Sequence, residues 1–113
     1  MVQMRLPNGE AAVIDVGKIR DYCLSREHPR GSHKALVFER VLGMTAEDSE
    51  ELQNALRHAA VERDASIGVT DRYGARYIID FELERGGRKA VVRSCWMVRN
   101  GEREPRFVTC FVL

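Results

Sequence analysis

The 113-residue chain is 44% hydrophobic and 31% charged, proportions that suit one soluble domain and exclude both two full domains and a disordered chain. Its 18 Lys and Arg against 17 Asp and Glu leave a net charge of +1, which marks neither a strong nucleic-acid binder nor an acidic decoy. Position and type are less even: 15 of the basic residues are Arg, and residues 65–113 carry 9 basic against 6 acidic side chains. Arg is the better fork for carboxylate and phosphate, although a GC-rich genome produces the same excess.

No stretch approaches the roughly 18 apolar residues that span a bilayer, and the N-terminus lacks the apolar core of a secretory signal. A single cytoplasmic domain over residues 1–113 with no membrane contact is the expectation. Cys23, Cys95 and Cys110 are odd in number and lack CxxC spacing, which speaks against a disulfide framework or a zinc site. They imply a reducing compartment, and no metal or other cofactor is expected. Cys95 and Cys110 lie in apolar runs and read as inert core residues.

In chain order, Leu6-Pro7-Asn8-Gly9 reads as a turn before a short strand at Ala11–Ile14. Asp15 can cap a helix over Val16–Leu24, with Val16, Ile19, Tyr22 and Cys23 at helical spacing. Ser32 is the expected N-cap of a second helix, Lys34–Leu42, which turns Ala35, Phe38, Val41 and Leu42 inward and stops at Gly43. Thr45, with Asp48 at the reciprocal position, opens a third helix that runs to about Arg63 with an apolar stripe of Leu52, Leu56, Ala59 and Ala60.

The period then changes to two. Arg76–Arg85 and Arg88–Val98 flank Gly86-Gly87 as a hairpin. Setting Arg85 against Arg88 places Phe81 by Val92, Ile79 by Ser94 and Tyr77 by Trp96 on one face, with Asp80 by Arg93 and Glu84 by Lys89 on the other. Pro105 delays a last strand, Arg106–Leu113, whose expected register puts Phe107, Thr109 and Phe111 on the face of Trp96 and leaves Arg106 with Arg93. The fold class is α+β: a short N-terminal strand and about three helices packed on a C-terminal antiparallel sheet of three to four strands.

Two segments carry candidate chemistry. His28-Pro29-Arg30-Gly31-Ser32-His33-Lys34 brings imidazoles, a guanidinium and an ammonium to a helix start, where free N–H groups favour an anion. An imidazole beside a phosphate can act as general acid or base, while Ser32 as a plain cap and exposed histidines are the bland alternative. On the strands, Arg93 and Arg106 beside Ser94 and Thr109 can hold a phosphate and stabilise its transition-state charge. Arg93 serves equally well as the partner of Asp80. Trp96 is a candidate for base stacking, though such a residue is more often a core anchor.

The stretches Leu6-Pro7-Asn8, Lys18-Ile19-Arg20-Asp21-Tyr22, His28-Pro29-Arg30-Gly31-Ser32-His33-Lys34-Ala35, Tyr73-Gly74 and Pro105-Arg106-Phe107-Val108-Thr109 resemble a small uncharacterised bacterial family, domain of unknown function 6883. The order of helices then sheet, with His and Lys early and Arg and Thr on late strands, is also similar to the barnase, EndoU, colicin and RelE toxin ribonucleases. That second likeness implies metal-independent RNA cleavage by 2′-hydroxyl attack, and a cognate antitoxin or immunity protein as partner. It implies His33 as general acid or base, Lys34 and Arg93 on the phosphate, and Arg106 with Thr109 on the sheet side. Arg30 and Ser32 would help to bind the anion. The alternative is a non-catalytic module that binds a protein, a second copy of itself, or an anion or nucleotide.

Overall fold

The computed structural model describes residues 4–113. Asn8 adopts a left-handed backbone (φ 53°) and starts a 3-10 turn, Gly9–Ala11. The expected strand at Ala11–Ile14 is reduced to one ladder contact. Val13 pairs in parallel with Arg106, donating its N–H to the Pro105 carbonyl and accepting from Phe107 N–H, both at 2.9 Å. The 3-10 turn on one side and the Asp15 cap on the other leave no room for a longer strand.

Asp15 caps as its sequence position suggests, accepting from Gly17 N–H at 2.8 Å. Helix α1 (Val16–Lys18) continues as a π-helical turn, Ile19–Cys23, which buries Ile19 and Cys23. Helix α2 spans Ser32–Leu42, two residues earlier than the sequence reading places it, with Ala35, Phe38 and Leu42 buried. Val41, expected inside, is partly exposed. Gly43 ends α2 in the left-handed region (φ 66°) and donates its N–H to the Glu39 carbonyl at 2.9 Å. Thr45 N–H donates to Asp48 Oδ2 at 2.9 Å before the 3-10 turn Ala46–Asp48 and helix α3 (Ser49–Glu62). Leu52, Leu56, Ala59 and Ala60 of α3 are all buried, as their spacing requires.

Four antiparallel strands follow in the order β1-β2-β3-β4: Ser66–Asp71, Gly74–Arg85, Arg88–Arg99 and Arg106–Val112. The β2–β3 register is the one charge complementarity predicts, from Arg85 opposite Arg88 to Tyr77 opposite Trp96. Gly74 is obligatory at the far end, since a Cβ there would run into the Val98 carbonyl. The helices cover one face of the sheet, where Ile79, Phe81, Val92, Trp96, Phe107 and Cys110 join Ile19, Phe38, Leu42, Leu52 and Leu56 in the core. No helix among the described residues is long and apolar enough to cross a membrane.

The β3–β4 register corrects the sequence reading. Phe107 pairs with Trp96, but Thr109 pairs with Cys95 and Phe111 with Arg93. The extra residue, Val108, forms a bulge that moves Thr109 and Phe111 off the core face and turns Cys110 onto it. Arg106, opposite Met97, stays on the face of Arg93 as expected.

Candidate functional site

The sheet face away from the helices is built from cross-strand rows. One holds Asp80, Arg93 and Phe111, the next Ile78, Cys95 and Thr109, and the next Arg76, Met97 and Arg106. Most of these side chains are half-buried, so the face is a mixed apolar and basic surface rather than a solvated polar one. The bulge therefore brings Thr109 onto the face of Arg93 and Arg106, from which the sequence register separates it.

Lys34 joins them from α2. Its Nζ lies 4.4 Å from the centroid of the Phe111 ring, a cation–π contact beside Arg93. Its positive charge also acts on the thiols of Cys95 and Cys23. Arg93 is itself engaged: Nε and Nη2 donate to Asp80 Oδ1 and Oδ2 at 2.8 and 2.9 Å. That bidentate bond holds the Asp80 carboxyl below the usual carboxylate range. Arg106 Nη2 donates to Glu102 Oε2 at 3.0 Å. Both pairs are more than one-third exposed on the arginine side, so each is a weak tie in water and open to exchange for a phosphate.

Thr109 has a less expected neighbour. Its Oγ1 lies 3.8 Å from Cys23 Sγ at the outer edge of β4. The Cys23 thiol is lowered to about 7 by the Cys110 thiol first, then by Cys110 N–H, Thr109 and Lys34, against the cost of burial. Cys110 is correspondingly pushed up. Cys95, half-buried on the outer face, is raised by desolvation in spite of Arg93 and Lys34.

The turn before α2 is organised by His28. Its Nδ1 accepts from the N–H groups of Arg30 and Gly31, both at 3.1 Å, while its ring packs edge-on against Tyr22 with centroids 4.5 Å apart. Gly31 is the N-cap, and Ser32 is the first helical residue with no capping bond from its side chain. The Ser32 cap is thus corrected: the helix starts at Ser32 itself, and the Ala35 N–H that a Ser32 cap would serve donates to the Gly31 carbonyl at 2.9 Å. His33 and Arg30 are exposed and form no side-chain hydrogen bond or ion pair among the described residues.

Trp96 does not belong to this surface. It is 0% exposed, packs against Phe107 at 5.6 Å between centroids, and donates its indole N–H to Ser94 Oγ at 2.9 Å. Ser94 in turn donates to the Ile79 carbonyl at 2.8 Å. A base cannot reach that ring, and the stacking expectation gives way to a core anchor. Phe111 and Cys95 occupy the open face, and sequence reasoning missed both. The sequence carries no clear signal for them, because Val108 and Phe111 are as apolar as the buried Phe107 and Cys110. No group of three or more His, Cys, Asp or Glu among the described residues could hold a metal ion.

Among solved structures, the chain resembles one chain of the "Contact-dependent growth inhibition toxin - immunity protein complex from Klebsiella pneumoniae 342", with a TM-score of 0.67 and 19% identity over 89% of this chain and 99% of that one. At that identity the likeness is one of fold. No curated protein matches the sequence. The model of the family described as Domain of unknown function (DUF6883) matches residues 5–113, nearly the whole chain, and the protein belongs to that family.

Proposed function

We propose that the protein is a toxin-type ribonuclease that cleaves RNA without a metal ion, held in check by a cognate immunity protein. The observation that carries this reading is the meeting of Lys34 with Arg93, Thr109 and Arg106 on one open sheet face. Three cationic side chains and a hydroxyl around one patch suit a phosphodiester, whose charge rises as the bridging bond breaks. The fold likeness to a chain from a toxin–immunity complex supports the same reading.

In this mechanism the 2′-hydroxyl of RNA attacks the adjacent phosphorus, the bond to the 5′-oxygen breaks, and a 2′,3′-cyclic phosphate remains. His33 is the exposed imidazole nearest Lys34 in sequence. It exchanges the proton, taking it from the 2′-hydroxyl or delivering it to the departing 5′-oxygen. Lys34 and Arg93 neutralise the phosphoryl oxygens, with Arg93 released from Asp80. Arg106 and Thr109 position the strand on the sheet, and Arg30 and Ser32 contribute at the start of α2.

Induced expression in a bacterial host tests the reading. The wild-type chain should arrest growth and leave cellular RNA with 2′,3′-cyclic phosphate ends, while His33→Ala should lose about 100-fold or more of the cleavage. Normal growth with intact RNA at equal expression would overturn it.

A further inference from the structure

The end of the sheet far from the Arg85–Arg88 hairpin carries Arg72 and Tyr73 in the β1–β2 turn, Arg76, Arg99 and Arg106 on the strand ends, and Arg103 in the β3–β4 connection. Three acids stand among them. Asp71 is tied to Arg76 at 2.7 Å, and Glu102 is tied to Arg106 and Arg99 at 3.0 and 3.7 Å. Glu104, Arg72 and Arg103 have no ion-pair partner among the described residues.

Tyr73 is 58% exposed and contributes little to the core, yet its ring is held in place. Arg72 lies over it with the guanidinium 5.0 Å from the centroid, and Arg72 Nη2 donates to the Tyr73 hydroxyl at 2.9 Å. The β1–β2 turn that carries both residues is fastened to the β3–β4 connection. Asn100 N–H donates to the Tyr73 carbonyl at 3.0 Å, and the Asn100 side-chain amide donates to the Arg72 carbonyl. An exposed ring with a guanidinium on it, fixed among arginines, matches the stacking platform and electrostatic groove with which proteins hold single-stranded nucleic acid.

We infer that this end of the sheet is a docking subsite for the single-stranded RNA that flanks the cleavage position. Tyr73 and Arg72 stack on an unpaired base, and Arg99 and Arg103 hold backbone phosphates. The subsite is continuous with the candidate site: Arg99 follows the Arg76–Met97–Arg106 row, which leads to Thr109 and then Arg93. Arg99 lies six residues along β3 from Arg93, about 20 Å at ~3.3 Å per residue, a span of a few nucleotides. Stacking favours no particular base, so the subsite adds affinity rather than sequence choice. The inference rests on the ribonuclease reading for its choice of RNA.

Fluorescence anisotropy with a 2′-O-methyl single strand of about 12 nucleotides, which lacks the attacking hydroxyl, tests it. Tyr73→Ala should bind about tenfold or more weakly, whereas Tyr73→Phe, which keeps the ring, should bind like wild type. Arg103→Ala should lower the slope of log K against log salt by about 0.7, the loss of one single-strand phosphate contact. Wild-type protein that cleaves RNA while Tyr73→Ala binds equally tightly would overturn the subsite alone. Binding that depends on Tyr73 in a protein that cleaves nothing would overturn the ribonuclease and retain the subsite. Wild-type protein that neither binds nor cleaves would overturn both.

Discussion

Thr109 stands beside Arg93 because one extra residue, Val108, interrupts the β3–β4 ladder. The segment Phe107–Val112 is apolar or small at nearly every position, so its alternation alone cannot set which side faces the core. Asp80 and Arg93 were legible because opposite charges at opposed positions admit only one register. Their bond also predicts a pH effect. Arg93 holds the Asp80 carboxyl below its ordinary value of 3.8, chiefly by the hydrogen bond and against a small burial cost. A depressed folded-state pKa contributes stability that is present above the ordinary value and is lost as pH falls through the folded one. Asp80→Asn should therefore lower the urea midpoint at pH above 3.8, neutrality included, and change it little at pH below the folded value, which flattens the acid limb. An unchanged acid limb would mean that the pair contributes nothing in solution.

At the scale of elements, the helix stripes were readable because Phe38, Leu42, Leu52 and Leu56 recur at helical spacing and all reach the core. The start of α2 was not. Ser32 is a good capping residue by type, but the helix already includes it, and the Ala35 N–H that its hydroxyl would satisfy donates to the Gly31 carbonyl at 2.9 Å. His28→Ala should leave the amides of Arg30 and Gly31 without an acceptor and remove the edge contact to Tyr22. It should cost about 1 kcal/mol, the usual value of a lost cap, read as a fall in the urea midpoint. His28→Asn, which offers a side-chain oxygen, should recover part of the loss. Strand β1 was also hidden, since only Ile67 and Val69 alternate with Ser66, Gly68 and Thr70, and all six of its residues are exposed.

Across the whole molecule, folding redistributes a charge that totals only +1. The outer face carries Glu82 and Glu84 with Lys89 toward the hairpin, and Arg76, Arg106 and Arg99 toward the opposite end. Four of the eight arginines of residues 65–113, Arg76, Arg93, Arg99 and Arg106, thus share one side of one sheet, next to a lysine supplied by α2. Composition cannot show this, because the strand order and the helix layer decide which side chains share a face. Phosphate chemistry on that face is tested most directly by the initial rate of cleavage of a fluorescent single-stranded RNA in EDTA. The wild-type protein should cleave, and Lys34→Ala and Arg93→Ala, each shown to fold, should each be slower by about 100-fold or more. RNA left intact by folded wild-type protein, or cleaved equally fast by both variants, would contradict it.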